Sequence, residues 1–291
     1  MERLKHAPIG LGTSGNRDPN QCTKSVETAL SLGYRHVDTA QMYGNERAVG
    51  EGIARADVPG EERGSSAASA RTAEWRAGNE VTRDQLVVAT KVHPDNLAGE
   101  DVIETARASL DRLGLDAVDL LYVHWPRAAY DPADTLPAFD QLYEEGLARN
   151  VGVSNFTPEL LDEARDILDA PIVAHQVELH PLLQQDELRT YAREHDHTIV
   201  AYSPIMKGAA GEVPELVAIA EKHGITPTQV CLAWLVGLEN VVAIPKATGE
   251  AHLRENLAAA DVELDEEDFD RIASIEEDRR LVDPDGAPWN R

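Results

Sequence analysis

Four side chains of different chemical type each lie at or just beyond the end of a short apolar run. Asp38 ends one in His36-Val37-Asp38-Thr39-Ala40, and Tyr43 follows in Tyr43-Gly44-Asn45-Glu46. Lys91 ends another in Ala89-Thr90-Lys91-Val92, and His124 a third in Leu121-Tyr122-Val123-His124. A free tyrosine, with a pKa near ~10, exchanges protons poorly at neutral pH, but an adjacent ammonium favours its anion and lowers that value. Lys91 can supply the charge, Asp38 can hold and balance it, and His124 can hydrogen-bond a carbonyl oxygen to orient it. Such a set protonates an alkoxide as it forms. Hydride addition to a carbonyl demands that step, with a nicotinamide as the hydride source.

Each residue alone has a plainer explanation, since an Asp after a strand often caps a turn and a lone His is often structural. Their joint occurrence carries the argument. Other groupings offer less. His175, Glu178 and His180 have strand spacing that turns Glu178 and His180 away from His175, so no metal site is expected there. His195-Asp196-His197 precedes a strand and reads as solvated or structural. The Gly10-Leu11-Gly12 turn lacks the GxGxxG pattern, which excludes a Rossmann-type dinucleotide site.

For the four residues to meet, the apolar runs must be strands of one sheet. Ile9 to Leu11, Tyr34 to Val37, Leu86 to Ala89, Val118 to Val123, Val151 to Val153, Ile172 to Val177, Thr198 to Tyr202 and Val241 to Ile244 are the eight candidates. Between them run helical periods such as Asp101 to Leu113, with Val102, Ile103, Ala106, Leu110 and Leu113 on one face. Thr157-Pro158 and Thr226-Pro227 each place a capping hydroxyl before a first-turn proline, and a further helix begins near Asn45. Eight strand-helix units with strands apolar on both faces indicate an α/β fold, a closed (β/α)8 TIM barrel. Residues 1–291 read as one barrel domain, with a loop insertion at about 59–81 rich in Gly, Ser, Ala and Glu. Reactive residues of such a barrel project from the carboxyl ends of the strands, where all four candidates fall.

Composition narrows the partners. With 52 acidic against 27 basic residues the formal charge is −25, which excludes a phosphate-backbone binder and makes nucleic acid an unexpected partner. The acids are spread along the chain, the pattern of a solvated carboxylate surface suited to abundant counterions. A salt-loving, archaeal host is expected, with an ordinary acidic cytosolic protein as the alternative. Cys22 and Cys231 read as reduced core thiols. No apolar stretch has signal-peptide or membrane-spanning length, so a cytoplasmic protein without membrane contact is expected.

The ordered tags Gly10-Leu11-Gly12-Thr13, Asp38-Thr39-Ala40, Tyr43-Gly44-Asn45-Glu46, Thr90-Lys91, His124-Trp125-Pro126, Gly152-Val153-Ser154-Asn155-Phe156, Gln176, Tyr202-Ser203-Pro204 and Ile244-Pro245-Lys246 resemble those of the aldo-keto reductases. The resemblance spans nearly the whole chain and implies a carbonyl reductase that also oxidises alcohols. It makes Tyr43 the general acid/base, with Asp38, Lys91 and His124 completing a tetrad. It further implies carboxamide contacts from Ser154, Asn155 and Gln176, a ring under the nicotinamide from Tyr202 with Ser203 beside it, and adenine contacts from Glu255 and Asn256. Only six of the basic residues are lysines, and Lys91 and Lys246 occupy the two places where the family keeps an ammonium.

Three departures limit what carries over. Ser14 stands where the family usually has an aromatic, leaving Trp125 as the larger substrate-pocket candidate. The tail from Asp278 to Arg291 is short, with Trp289 its one large apolar residue, and Met1 to Pro8 can form only part of the usual hairpin beneath the barrel. After Lys246, Ala247 and His252 replace the serine and arginine common in NADP-preferring members. Arg254 lies roughly 200° further round a helix and should point elsewhere. NADPH (NADP+) is the expected cofactor, with NADH as the alternative, the substrate a small-molecule carbonyl, and the active species a monomer. The rival readings are a Schiff-base aldolase using Lys91 and a non-catalytic nicotinamide-carrying subunit.

Overall fold

The computed structural model describes residues 2–56 and 81–290. The insertion expected at about 59–81 lies, except for Val81, outside the described residues. Eight parallel strands follow one another in sequence order: β1 (Leu11–Gly12), β2 (His36–Asp38), β3 (Val87–Val92), β4 (Leu120–Val123), β5 (Val151–Ser154), β6 (Ile172–Glu178), β7 (Thr198–Tyr202) and β8 (Val241–Ala243). Parallel bridges from Ile9 to Ala243 and from Gly12 to Lys246 join the first strand to the last and close the TIM barrel.

All eight expected strands form, and the shifts at their ends have local causes. Tyr34 belongs to a helix stop: Gly33 adopts a left-handed φ of 108° and the Tyr34 N–H returns to the Ala29 carbonyl. Just before β1, Gly10 passes against the His36 imidazole, where a Cβ would sit 2.5 Å from the ring nitrogen. Among the described helices, α1 (Glu2–Lys5) precedes the barrel. The crossovers include α2 (Pro19–Leu32), α3 (Glu46–Ala56), α4 (Gly99–Leu113), α5 (Pro132–Glu144), α6 (Pro158–Ile167), α7 (Asp186–Glu194), α8 (Pro214–His223) and α9 (Pro227–Gly237), and α10 (Glu250–Ala258) and α11 (Glu266–Ala273) follow the last strand. Thr157 and Thr226 cap α6 and α9 with their hydroxyls as their sequences predict.

The strand period of two sorts side chains into two cores. Val87, Ala89, Leu120, Tyr122, Ala174, Val200, Val242 and Ile244 fill the barrel, while Val37, Val88, Val92, Leu121, Val123, Val177, Ile199 and Ala201 pack outward against helices. Continuing the inward parity upward places Lys91 after Ala89, His124 after Tyr122, Gln176 and Glu178 after Ala174, and Tyr202 after Val200. The lower end is stopped by α1, not by a hairpin. Its Leu4 is fully buried in the inner core, and Arg3 joins Arg83 and Arg149 on the buried Asp119 carboxylate.

The imidazoles on the outer parity are buried, not solvated. His175 accepts a hydrogen bond from the Phe156 N–H at 3.2 Å, and His197 pairs with Arg165 at 2.9 Å, although His195 stays exposed against Tyr191. Burial, reinforced by Arg165, lowers the His197 pKa to about 3; burial likewise lowers His36 to about 4, despite the opposing pull of Asp38. Both folded values lie below the ordinary ~6.5, so the unfolded chain binds the extra protons. Stability from these two groups is therefore complete above about pH 6.5 and lost as pH falls, at about 2 kcal/mol each by pH 5. Urea unfolding at pH 7 and 5 should show at least that loss, and His197→Gln should remove one proton from the slope. A flat profile would exclude neutral burial.

Candidate active site

Asp38 ends β2 almost fully buried, and both of its oxygens are taken. Oδ1 forms an ion pair with Lys91, and Oδ2 accepts from the Gln176 amide at 2.7 Å. The Lys91 ammonium, fully buried, also donates to the Thr39 carbonyl at 2.8 Å and lies 3.5 Å from the Tyr43 hydroxyl. Its three N–H bonds thus have three acceptors. Burial disfavours the ammonium, but Asp38 and Tyr43 outweigh it, and the Lys91 pKa lies above its ordinary value.

Tyr43 sits in a single 3-10 turn, Gln41–Tyr43, that Gly44 ends at φ 66°. The turn lets the phenol lean back over the barrel mouth toward Lys91. Thr39 and Thr13 bind the Asn45 amide behind it at 2.9 Å each, which fixes the turn. The His124 ring meets Tyr43 edge-on, with centroids 5.9 Å apart. Burial first, then the Lys91 charge, holds the His124 pKa well below its usual value, so the ring is neutral near pH 7. All four tetrad residues expected from the sequence come together.

They stand at one end of a cleft of about 810 Å³. Ser154, Asn155, Gln176, Tyr202, Ser203, Lys246, Ala247, His252, Glu255 and Asn256 all line it, as do Trp125 and Ser14. Asn155 adopts φ 64°, a conformation asparagine tolerates. This turns its amide to donate to the His124 carbonyl at 3.0 Å and to accept from the Tyr202 hydroxyl at 2.8 Å. Ser154 donates to the Gln176 carbonyl. At the far end His252 faces Glu255 at 3.5 Å, and Glu255 accepts from Thr226 at 2.7 Å. Arg254 turns away, as its helical angle predicts, and pairs with Glu250.

The donor set suits a nicotinamide dinucleotide. Amides, a hydroxyl and an aromatic ring gather beside the tetrad, and two of the chain's six lysines, Lys207 and Lys246, line the remainder of a cleft in a molecule of charge −25. Lys207 was not anticipated from the sequence. The scarcity of lysine and the Gly208 that follows it just after β7 were the available signals. Also unforeseen were the Gln176 bond to Asp38 and the contact of Trp289 with Trp125, 5.6 Å between ring centroids. Among the described residues one His/Asp cluster, His223, Asp265 and Asp268, has metal-like spacing, and Lys222 already bridges its two carboxylates at 2.7 and 2.9 Å.

Comparison with known proteins agrees with this fold. The sequence profile of the Aldo/keto reductase family matches residues 8–277. A methylglyoxal reductase of Salmonella typhi is 37% identical over 281 residues, covering 96% of each chain. A 9,11-endoperoxide prostaglandin H2 reductase of Trypanosoma cruzi is 35% identical, over 95% of this chain and 90% of its own. Among solved structures, an aldose reductase of Giardia lamblia superposes with a TM-score of 0.83 at 29% identity, covering 97% and 96% of the two chains. A Bombyx mori aldo-keto reductase in complex with NADP gives 0.80 at 28% identity, covering 95% and 91%. The chain belongs to the aldo-keto reductase family and is built as an oxidoreductase for carbonyl reduction.

Proposed function

We propose that the protein reduces an aldehyde or ketone to the alcohol, reversibly, with NADPH as hydride donor and Tyr43 as general acid/base. The supporting observation is the buried Lys91 ammonium, fixed by Asp38 and 3.5 Å from the Tyr43 hydroxyl. A bound nicotinamide supplies the hydride. The chain's own groups do the rest. Neutral His124 keeps one N–H to orient the carbonyl oxygen, and the Tyr43 Oη delivers the proton as the oxygen gains charge. The Lys91 charge steadies the phenolate left behind, and Asp38 keeps that charge in place. Ser154, Asn155 and Gln176 present polar groups to the carboxamide, and Tyr202 presents its ring.

The aldolase alternative fits less well. A Schiff-base lysine needs a depressed pKa, whereas Lys91 is ion-paired and its pKa is raised. The protein is further proposed to be a single-domain, cytoplasmic monomer without membrane or nucleic-acid partners. Among the described residues no helix is long and apolar enough to cross a membrane.

Tyr43→Phe keeps the ring and removes the proton donor. Reduction should fall by about 10²–10⁴-fold. NADPH binding, followed by protein fluorescence, should survive, and turnover within tenfold of the parent would exclude the mechanism.

Lys246→Met tests cofactor choice, because Lys246 is the candidate partner of a 2′-phosphate. A charge-assisted contact at this exposed site is worth about 1–3 kcal/mol, so NADPH should weaken by roughly 5–150-fold and NADH hardly at all. Equal losses would remove Lys246 from that role.

The acidic surface is proposed as a high-salt adaptation. The Debye length falls from about 10 Å at 0.1 M to about 3 Å at 1 M, so repulsion among the carboxylates fades. The thermal midpoint should rise by at least ~10 °C between 0.1 and 2 M KCl. An unchanged midpoint would refute the adaptation while leaving the reductase assignment standing.

A further inference from the structure

A buried carboxylate at the barrel mouth has no part in the proton chemistry. Glu178 ends β6 with no solvent exposure. Its Oε1 accepts from the Leu281 N–H at 2.6 Å and from the equally buried His180 at 3.0 Å, and its Oε2 accepts from the Val282 N–H at 2.9 Å. Two of its three donors therefore belong to the C-terminal tail. That tail reaches the cleft. Val282 lines the cleft, and Trp289 packs on Trp125, with the Arg280 guanidinium 3.9 Å above the Trp289 ring.

We infer that Glu178 is a positioning residue that docks the C-terminal tail, fixing Val282 and Trp289 as the outer wall of the carbonyl pocket and thereby setting which substrates fit. A buried charge is costly unless every lone pair is met, and here the tail backbone meets two of them. Burial alone would raise the Glu178 pKa, yet His180 and the two tail N–H groups hold it below its ordinary value. The remaining ties are weaker in kind. Arg279 N–H reaches the Leu182 carbonyl at 2.7 Å, and the Lys207 and Arg127 side chains donate to the Leu281 and Asp285 carbonyls at 3.0 Å each. None of those leaves a buried ion exposed to loss. Carboxylate and tail thus act as one unit, and His180 backs the carboxylate from below.

The inference rests on the carbonyl-reductase reading for its substrate arm and not for its docking arm. Glu178→Gln keeps the shape of the side chain but replaces one acceptor oxygen with an amide that repels the facing N–H. Release of the tail peptide by trypsin at Arg279 and Arg280, followed by mass spectrometry, should speed up at least ~10-fold. The KM for a bulky aldehyde such as naphthaldehyde should rise about tenfold with kcat within about threefold, and methylglyoxal should change less than about threefold in either constant. A chain ending at Glu277 should show the same substrate shift, and adding Glu178→Gln to it should change KM less than about twofold, because the partner is already gone. Unchanged tryptic release, or equal losses of Glu178→Gln in the full and shortened chains, would overturn the inference. If Glu178→Gln fails to fold, the shortened chain decides: a substrate profile like the parent's overturns it. If no carbonyl turns over, the reductase reading fails, and tryptic release still decides whether Glu178 docks the tail.

Discussion

The site depends on one ion kept out of water. Asp38 is buried at the end of β2, where an unpaired carboxylate would be untenable, and among the described residues only Lys91 and Gln176 reach its two oxygens. That requirement pulls three strands into a fixed relation. β3 brings the ammonium, β6 brings the amide, and the Thr39 carbonyl beside Asp38 takes a second ammonium proton. What remains of the ammonium faces Tyr43. The phenol proposed as the acid/base thus faces a charge that cannot leave, because leaving would strand Asp38.

The same economy shapes the two ends of the barrel. Below, Asp119 is met by Arg3, Arg83 and Arg149, which tie α1 and two loops to the strand ends. Above, Glu178 is met by the tail. Each buried acid gathers segments distant in sequence. Among the described residues the buried acids are Asp38, Glu46, Asp119, Glu178 and Asp268, and each is met by a cation or by backbone N–H groups.

Much of this was legible in the sequence because strand parity is a local property. Once Ala89 is inward, Lys91 must be; once Val200 is inward, so is Tyr202. The eight strands, the capping threonines and every member of the tetrad follow from patterns a few residues long. The contacts that escaped are long-range. Nothing near Leu4 shows that it meets Val242, nothing in the tail shows that Leu281 meets Glu178, and Glu178 with His180 looked idle because their donor lies 103 residues away. That His175 and His197 are structural and not solvated likewise shows only through contacts distant in sequence. Their company, Arg165 and the Phe156 backbone, comes from another helix and another loop.

Leu4 also bears on how the chain is made. It is made more than two hundred residues ahead of Val242 and Ile244, which complete its cavity, and β1 closes only against β8. At about 5–20 residues per second those partners follow roughly 10–50 s later. Until then the amino-terminal segment has no finished place to bind, and the barrel is an open sheet with two unpaired edges, the state in which a nascent chain most needs protection from its neighbours. Closure therefore cannot precede the synthesis of β8, and its cost in loop entropy, for joining ends more than two hundred residues apart, is met only once nearly the whole barrel exists.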